Sequence, residues 1–427
     1  MDTQTLYRYP FEQLRQRLQE SALTDIFGLS GVFARHVVAR VLGENSSRNG
    51  FVIVSDETEL EQWRTDLEFF LGTTHTIVEI PSFDSAVVAH VGSQRHTVMR
   101  LHSALSTLIW SEKPVIAVAS ADAIRRRVIP RLAFDARTQL LSQEEMIDRD
   151  AFAEQLVEAG YLSVPTVEDE GTFALRGSIC DVYPVGAKSP ARIELWGDEV
   201  ESILLFDPNT QRGIGVSVET LVIPPAREET FSSEAQHRTK REILAAAGRS
   251  GIPTRKLQPL LDDLMQGIPF VGMEAVRALF YEHLDSVFHY LPKDTLVCWT
   301  DPSGCTERWM THHTRTVAQR ERSVEEGELV VEEHRDYLAN DQLIDRMAAF
   351  TQVRCHLLEF QEDMSGAPIR FQTPQISVLK SALQDARNQR EPLRPLIEFV
   401  RDVTGQGRKV MIACRQRLQR ERLERVF

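Results

Sequence analysis

Two short, uninterrupted apolar runs, Phe51-Val52-Ile53-Val54-Ser55 and Pro114-Val115-Ile116-Ala117-Val118-Ala119, constrain the fold of this chain more than any other feature. The first is bounded by Asn49-Gly50 and Asp56 and leads into a helical stretch from Glu57 to Leu71; the second leads into a helical pattern from Ala121 to Val128. A strand followed by a helix, twice, predicts parallel strands joined by helices. A lead helix up to about residue 25 precedes them, with Phe11, Leu14, Leu18 and Leu23 recurring at roughly helical spacing.

Between residues 140 and 226 the texture changes to alternating strands with glycine turns, as in Gly171 to Gly177 and Ala191 to Asp198, entered through a helix near Asp150 to Gly160. Antiparallel pairing about Trp196-Gly197-Asp198 follows from that turn chemistry. From Ala226 to Asp345 the pattern is largely helical, with one strand-like run at Thr295 to Trp299 that returns to complete the first α/β unit. A last unit begins near Val353 and holds a strand at Lys409 to Cys414. A βαβ unit needs a partner strand to close, so the chain is expected to be a piece of something longer.

A length of 427 residues fits about three domains at roughly 150 residues each. With 42% hydrophobic and 26% charged residues the composition is that of a folded globular protein. The formal net charge of -13 opposes extended contact with a phosphate backbone. The basic run Arg401, Arg408, Lys409, Arg415, Arg417, Arg420, Arg422 and Arg425 could dock on an acidic partner, but Glu421 and Glu424 interrupt it as in an ordinary solvated helix face. Cys180, Cys298, Cys305, Cys355 and Cys414 are scattered and never spaced C-x-x-C, which argues against a disulfide framework and a zinc site and fits a reducing cytosol. The start carries no leader pattern and no apolar run approaches the ~18 residues of a membrane span, so the expected location is cytoplasmic with no membrane partner.

The stretch Phe27-Gly28-Leu29-Ser30-Gly31-Val32-Phe33-Ala34-Arg35-His36 stands where a nucleotide-binding α/β unit places its phosphate loop. A working loop reads G-x-x-x-x-G-K-[ST], with glycine amides around the phosphates, a lysine on the outer ones and a hydroxyl on magnesium. Here Gly28 and Gly31 are wrongly spaced, and Arg35 stands among residues that replace the lysine and hydroxyl, so no ATP binding and no cofactor are expected. An unrelated loop before a helix would be equally inactive. The expected fold is thus α/β: a degenerate nucleotide-binding-type parallel sheet domain at 1–140 and 226–345, an inserted α+β domain at 141–225, and a further C-terminal α/β domain at 353–427.

Other catalytic readings fall away. Glu194, Asp198, Glu199 and Glu201 crowd together but on a hairpin form a solvated rim; His90, His96 and His102 are six apart and share no helical face; His312-His313 lacks the H-E-x-x-H arrangement. No G-x-S-x-G and no nucleophile motif around a cysteine occurs, so neither a catalytic nor a metal-binding residue is assigned.

Strand alternation predicts one exposed patch, for which plain surface salt bridges are the first reading and a protein-binding face the second. In Ala191 to Trp196, Ile193 and Leu195 point to the core while Arg192, Glu194 and Trp196 point away; Phe173 and Leu175 point inward while Arg176 emerges with Ala174. Arg176, Arg192 and Trp196 are residue types that dominate interface hot spots, although plain salt bridges to Glu194 or Glu199 would also account for the arginines.

The run Gly171-Thr172-Phe173-Ala174-Leu175-Arg176-Gly177-Ser178-Ile179-Cys180-Asp181-Val182-Tyr183-Pro184, then Ala191 to Asp198, then Phe206-Asp207-Pro208-Asn209-Thr210-Gln211-Arg212, resembles three ordered motifs of the transcription-repair coupling factor (Mfd) family and, with variation, of the excision nuclease subunit UvrB. The altered phosphate loop favours the first, as does the segment from Pro81 to Arg100, too short and too poor in tyrosine for UvrB's damage-probing hairpin. The resemblance extends, more weakly, to Phe427. It implies a UvrA-binding adaptor that carries no motor itself, with Arg176, Arg192 and Trp196 on the binding surface and Trp196 in place of the commoner phenylalanine. The family's polymerase-binding module and its ATP-driven DNA translocase lie downstream, so RNA polymerase and DNA are partners only through those parts. A carboxy-terminal domain masks the surface in full-length members, so a chain ending at Phe427 is expected to bind without activation. The competing expectation is a UvrB-like module that touches DNA directly.

Overall fold

The computed structural model describes residues 3–44, 48–83, 91–356, 368–371, 376–389, 391–407, 410, 412, 414 and 416–427. They fall into two units, residues 1–371 and 372–427. The first opens with α1 (Thr3–Glu20), β1 (Leu23–Phe27), α2 (Gly31–Glu44), β2 (Gly50–Val54), α3 (Glu57–Leu71), β3 (Thr76–Ile80), α4 (Val91–Trp110), β4 (Val115–Ser120), α5 (Arg131–Arg137) and β5 (Gln139–Ser142). The middle comprises α6 (Arg149–Glu158), β6 (Leu162–Ser163), β7 (Thr172–Arg176), β8 (Ile179–Tyr183), β9 (Ala191–Trp196), β10 (Glu199–Phe206), β11 (Gly213–Ser217) and β12 (Thr220–Ile223). It closes with α7 (Ser233–Arg249), α8 (Thr254–Met265), β13 (Leu296–Trp299), α9 (Pro302–Glu325), α10 (Glu333–Asp336), α11 (Asn340–Ala348), β14 (Thr351–His356) and β15 (Ile369–Arg370).

Seven strands form one sheet in the order β15-β1-β14-β13-β2-β4-β3, every neighbouring pair parallel. Every residue of β2 and β4 is buried, as expected of parallel strands covered on both faces. Successive side chains serve opposite layers: Phe51, Ile53, Ala117 and Ala119 join one apolar core, Val52, Val54, Ile116 and Val118 the other. The helix after β2 starts where the sequence places it, with the Asp56 carboxylate accepting from the Thr58 amide at 2.7 Å.

Three local expectations need correction. The lead helix ends at Glu20, and Leu23 belongs to strand β1. Its buried Asp25 is gripped from β14 by Arg354, at 2.7 and 2.9 Å, and by His356, at 2.7 Å. The expected helix over Ala121–Val128 is only a single 3-10 turn at Ala123–Arg125. There Arg125 and Arg126 are pulled into the interior, where Arg125 donates to the Trp309 carbonyl at 2.8 Å and Arg126 to Glu228. Residues 351–356, where a new domain was expected to begin, instead pair with β1 and β13 inside the first sheet.

The middle segment folds as its own sheet, ordered β11-β10-β9-β8-β7-β6, antiparallel except between β6 and β7. Gly177 and Gly197 close the β7–β8 and β9–β10 hairpins with φ of 59° and 62°. A two-stranded ribbon, β5 against β12, joins its entrance to its exit, from Gln139 opposite Ile223 to Ser142 opposite Thr220.

The second unit contains α12 (Ile376–Ala386), α13 (Arg394–Gly405) and α14 (Arg417–Glu424). The strand expected at Lys409–Cys414 falls partly outside the described residues; Val410, Ile412 and Cys414, which are described, are not in a strand.

Candidate docking surface

The inner face of the middle sheet is apolar. Phe173, Val182, Ile193, Leu195, Val200 and Ile203 pack with Phe152 and Leu156 of α6, so the alternate positions must face outward. Register fixes who stands beside whom there. Ala174, Asp181 and Arg192 lie in one row across β7, β8 and β9, and Arg176, Ile179 and Glu194 in the next. Trp196 is one outward step further along β9 and faces Glu199 across the hairpin. Arg176, Arg192 and Trp196 thus share one face. Arg192 and Trp196 are separated by about 13 Å along the strand, and Arg176 lies two strands, roughly 10 Å, to the side.

Exposure grades across this face. Trp196 is 77% exposed, and the Arg176 side chain 48% and the Arg192 side chain 24%. Ala174, expected to emerge with Arg176, is buried instead, because Val167 and Phe206 close over it in a small second cluster. The large exposed residue that sequence pattern missed is Met146, which bridges to Glu199 from the other side and so stands in the same row as Trp196.

The arginines pair differently from expectation. Glu194 accepts from the Ser202 hydroxyl at 2.8 Å, whereas Arg192 makes a two-pronged contact with Asp181, Nε to Oδ1 at 2.7 Å and Nη2 to Oδ2 at 2.9 Å. Arg176 Nη1 stands 3.9 Å from the same carboxylate, and its Nη2 donates to the Pro165 carbonyl. The hydrogen bond to Asp181 raises the Arg192 pKa above its ordinary value, and the guanidinium lies 4.9 Å from the centre of the Phe206 ring. Asp181 was legible as a member of the same face from its alternation with Cys180 and Val182, but not as the hub of both arginines.

Of the phosphate-loop residues, Gly28 lies in the turn between the parallel strand β1 and the helix α2, Gly31 opens α2 and Arg35 lies within it. Gly28 has φ of 79°, and a Cβ on it would meet the Phe371 carbonyl oxygen at 1.9 Å. That oxygen is held close because the Phe371 amide donates to the Phe27 carbonyl at 2.9 Å. Gly31, with φ of 54°, has open space around it, and Arg35 pairs with Asp66 of α3 while lying 5.9 Å from the Trp63 ring centre.

The remaining sequence candidates are dispersed. Asp198, Glu199 and Glu201 are exposed around the β9–β10 hairpin. His102 is buried with Nδ1 2.7 Å from the Pro225 carbonyl; His312 meets Arg125 at 3.2 Å; His313 meets Glu333 at 3.0 Å. His90 lies outside the described residues, as do Asp84 to Ala89 of the Pro81–Arg100 run and Arg408, Lys409 and Arg415 of the basic run. Among the described residues no group of three His, Cys, Asp or Glu side chains is placed to hold a metal ion, and no helix is long and apolar enough to cross a membrane.

Residues 140–228 match the UvrB interaction domain family. The chain is 28% identical to the transcription-repair-coupling factor of Myxococcus xanthus over 98% of its own length and 35% of that protein. It is 29% identical to the one from Bacillus subtilis over 69% of the chain and 25% of that protein, and 25% identical to that of Escherichia coli over 71% and 26%. The chain is therefore similar to transcription-repair coupling factors along most of its length and spans about a third or less of theirs.

Proposed function

We propose that this chain, a UvrB-like relative of the transcription-repair coupling factors, recruits the repair protein UvrA through the outer face of its inserted sheet, and so links a stalled RNA polymerase to nucleotide excision repair in the cytoplasm. One observation carries the reading: an indole 77% exposed shares a rigid sheet face with two guanidinia, inside the segment that matches the UvrB interaction domain. A large aromatic left in water costs hydration free energy that a partner recovers, and Trp and Arg supply most hot-spot energy at interfaces. RNA polymerase and DNA are partners of parts of the relatives that this chain does not span, and the chain itself acts as an adaptor without motor activity.

Direct contact with DNA is the weaker reading. The outer-face arginines are already engaged by Asp181, exposed carboxylates surround Trp196, and the net charge of -13 repels a duplex. The closed approach of Phe371 to Gly28 likewise supports a loop without nucleotide.

Arg176→Ala and Trp196→Ala are expected to keep the wild-type circular dichroism and melt, Arg192→Glu to keep the fold but melt lower because it leaves the buried Asp181 without its two-pronged partner, and each to weaken capture of UvrA by about tenfold or more. Equal binding by wild type and all three variants in a titration would refute the assignment. A shift of damaged duplex by the chain alone, at moderate salt, would favour the DNA-contacting module.

A further inference from the structure

The geometry points to Asp181 as the positioning residue of the docking face: a carboxylate 1% exposed that locks Arg192, and steers Arg176, into the orientation a partner meets. This inference rests on the UvrA-binding reading for its affinity readout, but its structural content is independent of any partner.

A buried carboxylate on the outward side of a sheet is unusual, because the alternate positions of β8, Cys180 and Val182, already supply the core contacts. Asp181 adds nothing to that core. It is buried by what lies over it: Arg192 grips both of its oxygens, and Arg176 Nη1 stands at 3.9 Å. The Arg192 guanidinium is also stacked near Phe206, and Arg176 is tied to the Pro165 carbonyl. Two side chains that ordinarily sample many rotamers are therefore held before any partner arrives, which removes part of the ordering cost of binding.

The arrangement also decides what each arginine can offer. Arg192 spends its Nε–H and one Nη2–H on Asp181, which leaves three of its five N–H groups for a partner; Arg176 spends one Nη2–H on Pro165. Two guanidinia over one buried carboxylate amount to a single net positive charge presented through fixed N–H directions. Such a face selects a hydrogen-bond acceptor by position and draws little on diffuse attraction. Lysine at 192 would keep the charge but not the planar two-pronged grip.

The test uses the whole chain. In wild type the Arg192 Nε–H should give a resolved NMR signal that exchanges slowly with water, and Asp181→Asn should abolish it while the melting curve stays cooperative. Titrated with UvrA, Asp181→Asn and Arg192→Lys should each lose about tenfold in affinity. The double variant Asp181→Asn, Arg192→Ala should lose clearly less than the sum of the two single losses, because Asp181 acts mainly through Arg192 and only secondarily through Arg176. Wild-type affinity in Arg192→Lys, or additive losses in the double variant, overturns the proposal, as does a fast-exchanging Arg192 Nε–H in the wild type. Should Asp181→Asn fail to fold, Arg192→Lys and the wild-type exchange rate decide alone. Failure of the UvrA reading looks different: the slow Arg192 signal is present, yet the wild-type chain does not bind UvrA.

Discussion

At Gly28 two constraints meet on one residue. The backbone turns through φ of 79°, where a side chain is strained, and the Phe371 carbonyl oxygen fills the place a Cβ would take. That oxygen cannot retreat without loosening the Phe371 amide bond to the Phe27 carbonyl. Gly28→Ala is therefore expected to destabilise the fold by roughly 3 kcal/mol in urea unfolding, and Gly31→Ala, with nothing nearby, by only about 1 kcal/mol. Equal midpoints for the two variants would contradict this account. The sequence shows the glycine, its unfavourable spacing and the missing lysine; it does not show that backbone from the far end of the unit closes over the turn. Asp181 is a similar case. Alternation puts it on the same face as Arg192, but only the pairing of β8 with β9 sets the two opposite each other.

Elements were readable where local pattern and burial agree. β2 and β4 are buried throughout and apolar but for Ser120, and α3 carries its own cap, so each announces itself. β1 does not, because Thr24 and Asp25 break its apolar run and the Arg354 that pairs with Asp25 comes from the far end of the unit. The same mismatch marks the base of the inserted sheet, where His102 and Glu228 are buried among arginines. Burial lowers the His102 pKa from 6.5 to about 4, so it is neutral in the fold and takes up a proton on unfolding. Its contribution to stability is thus complete above pH 6.5 and is lost as pH falls toward 4. For Glu228 burial acts upward, but Arg126 and Arg277 outweigh it and bring the pKa from 4.5 to about 2, so that contribution is lost between pH 4.5 and 2. Urea midpoints should accordingly begin to fall below pH 6.5, well before ordinary carboxylates titrate, and His102→Phe should flatten that first decline. A wild-type profile that is level from pH 6.5 down to 4.5 would rule out the His102 contribution.

At the scale of the whole molecule, the docking face and the parallel sheet belong to the first unit, whose last residue still does structural work. Phe371 is 3% exposed and packs edge-on against Phe11, ring centres 5.4 Å apart, and near Phe33 at 6.3 Å. Beyond it the burial pattern changes: among the described residues of the second unit only Ala386 is buried. The first unit therefore holds the apolar area needed to fold alone, and a chain of residues 1–371 is expected to melt cooperatively at the wild-type temperature and to bind UvrA with unchanged affinity. Ending the chain at residue 356 instead removes β15 from the edge of the sheet, the Phe371 ring from its core and the backbone oxygen over Gly28. Losing a buried aromatic costs about 3–5 kcal/mol, so this shorter chain should melt several degrees lower. A tenfold loss of affinity in the 1–371 chain would show that the helices after Phe371 take part in docking, while equal melts for the two truncations would show that β15 and Phe371 are dispensable to the sheet.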